Sequence, residues 1–154
     1  MLIDELKNIA RNNGIVGAGG AGFPAYAKMT EKADTVILNC VECEPLLKLH
    51  RQLLATHTEE IIQMLDEVRE SFGAKEAVIG IKSEYVTTIK AIEEVIGDFP
   101  NVRICALKAA YPMGDEVVLI YEATGRVIKP GGLPIDENVV VYNVETMYNL
   151  YRAV

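Results

Sequence analysis

Apolar residues in this chain recur at two different spacings, which predict helices and strands in alternation. Near the start, Leu2, Ile3, Leu6 and Ile9 follow the three- to four-residue spacing of an amphipathic helix, and the Asn-Asn-Gly sequence at 12–14 ends it. Uninterrupted apolar runs are typical of buried parallel strands. Such runs lie at 35–38, 77–81, 102–107 and 139–142.

Helical spacing returns between these runs. It predicts a short helix at 25–30, one long amphipathic helix from 49 to 72 closed by Gly73, a helix capped by Ser83 and ended by Gly97, and helices at 115–123 and 145–153. Strands that alternate with helices predict an α/β fold. We therefore expect one domain over residues 1–154: an open, mostly parallel sheet of about four strands, Rossmann-like, with helices on both faces.

A glycine-rich segment separates the first helix from the first strand. Its glycines are Gly17, Gly19, Gly20 and Gly22, and Phe23 and Pro24 follow them. A tight turn needs one or two glycines, so this density favours a backbone that approaches a phosphate-bearing ligand. Pro24 fits the first turn of a helix whose N-terminus would attract the anion. A loop made for packing alone is the alternative.

The same glycines spell G-x-G-x-x-G, the fingerprint of dinucleotide-binding folds, and Glu42 lies where such folds carry their ribose-binding acid. In those folds the motif follows a strand. Here a predicted helix precedes it, and too few residues remain for a central strand, so the ordinary Rossmann interpretation is disfavoured. A Walker A loop is excluded because no Gly-Lys-Ser/Thr sequence follows.

Composition narrows the classes of partner. The chain has 154 residues, half of them hydrophobic, which is enough for a domain with its own core. Its net charge of −7 argues against nucleic acid. No apolar run approaches the roughly 20 residues of a membrane span, and no secretory leader pattern is present, so we expect no direct membrane insertion. Cysteines without a regular framework indicate a reducing, cytoplasmic compartment.

Polar side chains follow the predicted strands at their carboxyl ends, where open α/β sheets bind ligands. These segments are 39–45 (Asn-Cys-Val-Glu-Cys-Glu-Pro), 111–116 (Tyr-Pro-Met-Gly-Asp-Glu) and 143–146 (Asn-Val-Glu-Thr). For any single residue, helix capping explains the polarity equally well, as for Asp115, Asn143 and Glu145. Because the segments meet at the edge that carries the glycine loop, the sequence indicates a binding site there.

These segments, with Lys28 and a Gly-Gly-Leu-Pro sequence at 131–134, occur in this order in RnfC-like flavoproteins. The chain resembles that family from about residue 10 onward, most closely the branch of PduS cobalamin reductases and PrdC. It is more distantly similar to the flavin-carrying, NADH-oxidising subunit of respiratory complex I. The resemblance implies an NADH dehydrogenase-type oxidoreductase domain that binds FMN and NADH. The flavin would take a hydride and pass single electrons onward, so no catalytic acid or base and no metal ligand are assigned.

The resemblance also implies which residues bind the cofactors. Those expected at FMN are Gly17, Gly19, Gly20, Lys28 (at the phosphate), Asn39 and Asn143. Those expected at the flavin edge or at NADH are Phe23, Glu42, Glu44, Tyr111 and Glu116. The set is completed by Gly22, Gly114, Asp115 and Thr146. Departures from the family pattern fall at Val41, His50 and Asp115, and they bear on NADH affinity more than on the fold.

Family members continue into domains with cysteine-ligated iron–sulfur clusters. A 4Fe–4S cluster needs four ligands, and this chain has only Cys40, Cys43 and Cys105. We therefore expect an N-terminal fragment of a longer flavo-iron–sulfur protein, whose partners are its remaining domains and other electron-transfer subunits. It would lie at the periphery of a membrane complex or inside a microcompartment.

The Cys40–x–x–Cys43 spacing permits a redox pair or half a zinc site, but no second pair is present and both are disfavoured. Cys105, inside a predicted strand, is expected to be a small buried hydrophobe. Two other functions stay open. One is a non-catalytic scaffold that keeps the fold and has lost flavin, and the other is a nucleotide-binding domain that takes NADH but not FMN.

Overall fold

The structure, a computed structural model, describes residues 1–18, 22–42, 44, 46–108 and 113–154. Within these residues the chain forms four strands and six α-helices. The strands are β1 (Thr35–Cys40), β2 (Glu76–Lys82), β3 (Val102–Leu107) and β4 (Val139–Asn143). The helices are α1 (Ile3–Asn12), α2 (Leu49–Thr56), α3 (Thr58–Phe72), α4 (Val86–Val95), α5 (Glu116–Thr124) and α6 (Val144–Ala153).

The strands form one parallel sheet in the order β3-β2-β1-β4, as the apolar runs predicted. β1 and β4 are neighbours in space although more than half the chain separates them in sequence. Their register places Asn39 opposite Asn143, and Asn39 also lies opposite Gly80 of β2. The polar carboxyl ends of the central strands therefore lie side by side at one edge of the sheet.

Helices cover both faces of the sheet, unevenly. The larger core joins α1, α2, α3, α4 and α6 to side chains such as Leu38, Ile79 and Tyr142. On the opposite face, α5 packs Leu119 and Ile120 against Ile37, Val78 and Val141. At Gly80 an added Cβ would lie 2.5 Å from Leu119 Cδ1, so glycine lets α5 rest close over β2.

The long helix expected at 49–72 is wrong: it is two helices, α2 and α3, that meet at His57. His57 has φ −118° and ψ 42°, outside the helical region, and its ring stacks on Tyr148 of α6 with centroids 4.4 Å apart. The adjacent Thr58 hydroxyl donates to the Leu54 carbonyl at 2.8 Å. A tertiary contact and a local side-chain bond thus interrupt a pattern that is helical by spacing.

Smaller differences lie at helix ends. The helix at 25–30 is a short 3₁₀ helix, Ala25–Lys28. α4 begins after Tyr85 without a side-chain cap, so the cap expected from Ser83 is wrong, and Gly97 falls within a 3₁₀ turn instead of closing α4. Gly73 ends α3 with φ 69°, in the left-handed conformation that closes helices, as predicted.

Candidate functional site

The glycine-rich loop leaves α1 and closes on itself. Val16 and Pro24 form an antiparallel bridge, and the Gly17 N–H donates to the Phe23 carbonyl at 2.8 Å. Gly22 has φ 69°, which favours glycine for the backbone alone. Gly17 has no positive φ, and an added Cβ would come no nearer than 3.5 Å, to the Phe23 carbonyl oxygen, an ordinary contact. The packing of the described residues therefore does not require glycine at 17.

Gly19 and Gly20 lie outside the described residues, as does Tyr111. The helix that follows the loop differs from the expectation. Pro24 is its N-cap instead of part of its first turn, and the helix is a single 3₁₀ turn. The Ala25 N–H already donates to the Ile15 carbonyl at 3.0 Å. The expected anion site at this helix N-terminus is wrong, because four residues have little dipole and their leading donor is occupied.

Asn143 and Thr146 fasten the loop to the start of α6. The Ala18 N–H donates to Thr146 Oγ1 at 3.1 Å, and Asn143 Nδ2 donates to the Ala18 carbonyl. Asn143 Oδ1 in turn accepts from the Thr146 N–H at 2.8 Å, which caps α6. The capping explanation for Asn143 is confirmed, and the same side chain also holds the loop against the carboxyl end of β4.

Lys28 supplies the positive charge beside the loop. Its Nζ donates to the Val141 carbonyl at 3.2 Å and lies about 6 Å from the ring centres of Phe23 and Tyr142. Among the described residues, no carboxylate forms a salt bridge with it. The ammonium is therefore held in place with its charge uncompensated, so it can bind an anion.

Lys28 opens onto a cleft of about 540 Å³ beside β4. The cleft is mainly apolar, with a few charged groups. Its walls include Phe23, Lys28, Lys32, Glu116, Leu133 and Ile135. Phe23 is 52% exposed, which leaves much of its side chain in solvent. An apolar cleft with an exposed aromatic ring and convergent charges suits a ligand that has a planar ring and polar substituents.

The 113–116 segment joins the site through β1. Asn39 Oδ1 accepts from the Val41 N–H at 2.9 Å, and Asn39 Nδ2 lies 3.4 Å from the Gly114 carbonyl oxygen. Asp115 caps α5, with Oδ1 accepting from the Val117 and Val118 N–H groups at 3.0 and 3.3 Å. The capping role of Asp115 is thus confirmed, while Glu116, the next residue, faces the cleft.

Glu42 is the most unusual residue of the site, because it is an acid with 7% exposure. Its Oε1 accepts from the His50 N–H at 2.8 Å, but its Oε2 is buried without a hydrogen-bond partner. Such a group in a native fold calls for an explanation, such as a ligand donor. Glu44, by contrast, is exposed.

Lys82 was missed by sequence reasoning. Its Nζ donates to the main-chain carbonyl of Glu42 at 2.7 Å, which ties the end of β2 to the segment after β1. Its position as a cation at the carboxyl end of a predicted strand was the signal that could have found it.

The cysteines offer little reactivity. Cys40 is fully buried, and burial raises the pKa of its thiol well above the usual range. Cys43 lies outside the described residues. Cys105 is half-buried on the edge strand β3, with its Sγ 3.8 Å from the Glu122 carbonyl oxygen, so the expectation of a buried hydrophobe is wrong. Within the described ranges, no group of three or more His, Cys, Asp or Glu side chains could hold a metal ion.

Residues 10–152 match the family model described as the Nuo51 FMN-binding domain. The chain therefore belongs to this family. It is 40% identical over 149 residues to "Cobalamin reductase PduS" of Citrobacter freundii, covering 97% of this chain and 33% of that protein. It is 37% identical over 147 residues to one subunit of the Na(+)-translocating ferredoxin:NAD(+) oxidoreductase complex of Acetobacterium woodii, covering 93% and 33%. The chain thus spans about a third of the length of these relatives.

The fold also matches solved structures. An air-oxidised NAD+-reducing NiFe hydrogenase aligns with a TM-score of 0.82 and 25% identity, covering 97% of this chain and 30% of that chain. The expected α/β fold and the RnfC-like resemblance are both confirmed. None of the helices that the structure describes is both long enough and apolar enough to span a bilayer.

Proposed function

We propose that this chain is the FMN- and NADH-binding domain of an electron-transfer flavoprotein. It would accept hydride from NADH and pass electrons toward iron–sulfur clusters in other domains or subunits. Membership of the FMN-binding family supports the flavin, and the oxidoreductase names of the relatives support electron transfer. The observation that carries the assignment to this edge is Lys28, an uncompensated ammonium beside a loop where packing does not require glycine at 17.

The described residues fit the polar parts of FMN. A phosphate is a stronger acceptor than a neutral carbonyl, so the Lys28 ammonium would favour it over the Val141 carbonyl that it contacts here. Gly17 leaves room for close approach of a ligand to the backbone. Asn39 and Asn143 lie opposite each other at the carboxyl ends of β1 and β4, where amide groups can bind hydroxyls.

Bound flavin would supply the conversion between two-electron and one-electron chemistry, and the chain would supply binding and orientation. Glu42 offers a buried carboxylate oxygen that lacks a donor, which suits an N–H or O–H group of a ligand. The exposed ring of Phe23 and the carboxylate of Glu116 share the apolar cleft, and they suit the planar bases and hydroxyls of NADH. None of these groups is asked to transfer a proton.

The test begins with thermal melts of the protein with and without FMN. Ligand at a hundred times its dissociation constant should add about 2.7 kcal/mol, which is roughly 5–10 °C for a domain of this size. NADH is then added under anaerobic conditions while the absorbance of the flavin band is followed. Bleaching supports hydride acceptance. A melt that FMN leaves unchanged would refute the proposal and favour the scaffold function.

Lys28→Ala locates the site. Loss of a charge-assisted hydrogen bond should weaken FMN binding by about 10- to 100-fold. Lys32→Ala is the matched control, because Lys32 lines the same cleft but is exposed. If both variants bind FMN as the parent does, the phosphate is not at Lys28. If both weaken it equally, the effect is one of general charge.

A further inference from the structure

Two cations lie near the half-satisfied carboxylate of Glu42, yet neither pairs with it. Among the described residues, no cation forms a salt bridge with Glu42. Buried acids in proteins are almost always paired or fully hydrogen-bonded. The unpaired Oε2 therefore persists because something holds the cations elsewhere.

Arg51 is held by an aromatic ring. Its guanidinium carbon lies 4.5 Å from the ring centre of Tyr85, and its main-chain carbonyl accepts from the Thr88 hydroxyl at 3.0 Å. Arg51 directly follows His50, whose N–H binds the other oxygen of Glu42, so its backbone is adjacent to the carboxylate. Tyr85 is only 6% exposed and offers a fixed, partly desolvated face for the cation.

Lys82 is held by the backbone. Its Nζ donates to the Glu42 carbonyl oxygen at 2.7 Å and lies 5.8 Å from the Tyr85 ring centre. Burial raises the pKa of the Tyr85 phenol, the Arg51 charge lowers it and the Glu42 charge raises it. Tyr85 thus senses both charges, which places the acid, the two cations and the ring in one cluster at the ends of β1 and β2.

We infer that Tyr85 and Lys82 are positioning residues that keep Glu42 Oε2 free for a donor group of the ligand. Tyr85 retains the Arg51 guanidinium on its ring face, and Lys82 fixes the main chain of Glu42. Without the ring, Arg51 is free to turn to the carboxylate and form the bidentate pair that guanidinium groups favour. That pair would occupy the oxygen that the ligand needs. The inference rests on the proposed flavin site.

Four proteins test the role of Tyr85: the parent, Tyr85→Leu, Arg51→Met and the double variant. FMN dissociation constants are measured by quenching of flavin fluorescence. We expect Tyr85→Leu to weaken FMN by about 10- to 100-fold, the effect of one hydrogen bond to a charged group. Arg51→Met should stay within about threefold of the parent, and adding it to Tyr85→Leu should restore most of the affinity. Tyr85→Phe keeps the ring and should bind as the parent does.

The double variant separates positioning from packing, because removal of a second side chain does not repair a packing defect. Unchanged affinity in Tyr85→Leu overturns the inference, and so does a double variant that stays as weak as Tyr85→Leu. Failure of the proposed function reads differently, since the parent protein itself would then not bind FMN.

Lys82 keeps the inference testable if Tyr85→Leu does not fold, which circular dichroism would show. Lys82→Met should weaken FMN by about tenfold while the melting temperature of the ligand-free protein changes little, and Lys82→Arg should recover part of the affinity. Unchanged FMN affinity in Lys82→Met would overturn the role of Lys82.

Discussion

Replacing Asn143 by alanine removes the two hydrogen bonds by which one side chain joins α6 to the glycine-rich loop. Loss of an N-cap costs about 1 kcal/mol, and loss of a neutral, half-buried hydrogen bond costs about another 1 kcal/mol. We therefore expect Asn143→Ala to lower the free energy of unfolding by about 2 kcal/mol. In a domain of this size that corresponds to a fall of about 4–8 °C in melting temperature.

Asn143→Asp is the matched control. Its carboxylate still accepts from the Thr146 N–H and suits the N-terminus of α6, but it has no donor for the Ala18 carbonyl. The aspartate variant should therefore be more stable than the alanine variant, whereas both should bind FMN more weakly than the parent because the loop is no longer held.

Urea unfolding of the ligand-free proteins measures the stability, and flavin fluorescence measures the binding. A stability of Asn143→Ala within about 0.5 kcal/mol of the parent would refute the assigned contacts. Equal stability of the alanine and aspartate variants would show that the cap is not the source of the loss.

The remaining predictions concern charge, packing and reactivity. Although burial raises the pKa of Asp34, the Arg126 hydrogen bond and charge lower it further, so the net shift is downward. Its contribution to stability is complete above the unfolded-state pKa of about 4 and disappears as the pH falls through the lower folded-state pKa. The difference in urea stability between the parent and Asp34→Asn should therefore shrink between about pH 5 and pH 2. Gly80→Ala should lower stability by about 1–3 kcal/mol, because its methyl group would collide with the buried Leu119 side chain; urea unfolding measures this. Cys40 should resist iodoacetamide in the native protein and react after unfolding, as peptide mass spectrometry would show.

Each of these predictions has a contrary outcome. A constant difference between the parent and Asp34→Asn across that pH range would mean that the carboxylate charge does not stabilise the fold. Gly97→Ala is the control for Gly80, since an added Cβ at Gly97 meets nothing within 4 Å. Equal stabilities of the two alanine variants would contradict the close packing of α5. Rapid labelling of Cys40 at neutral pH would contradict its burial.

The four strands could be predicted because a parallel strand covered on both faces is apolar at nearly every position. Convergence at the site could also be predicted, since the carboxyl ends of parallel strands share one edge, and Asn39 does lie opposite Asn143. Helix ends were less predictable. The break at His57 depends on Tyr148, a residue 91 positions away that no local pattern can register.

The interior of the site was harder to predict for the same reason. Glu42 is buried with an unpartnered oxygen because of where Arg51, Lys82 and Tyr85 place their side chains, and sequence spacing does not link them. The expectation of an anion at the helix N-terminus after the loop failed because Pro24 begins a 3₁₀ turn instead of an α-helix.

The uneven cover of the sheet has a consequence for motion. Within the described residues, α5 is the single α-helix on its face, whereas α3 and α6 are packed among several neighbours. Segments with fewer buried contacts open at lower free energy, so amide hydrogens of α5 should exchange with solvent sooner than those of α3. Asp115 and Glu116 form the start of α5, so such opening would take apart one wall of the cleft while the rest of the fold stays closed. A ligand that contacts this wall would slow the exchange of α5 first.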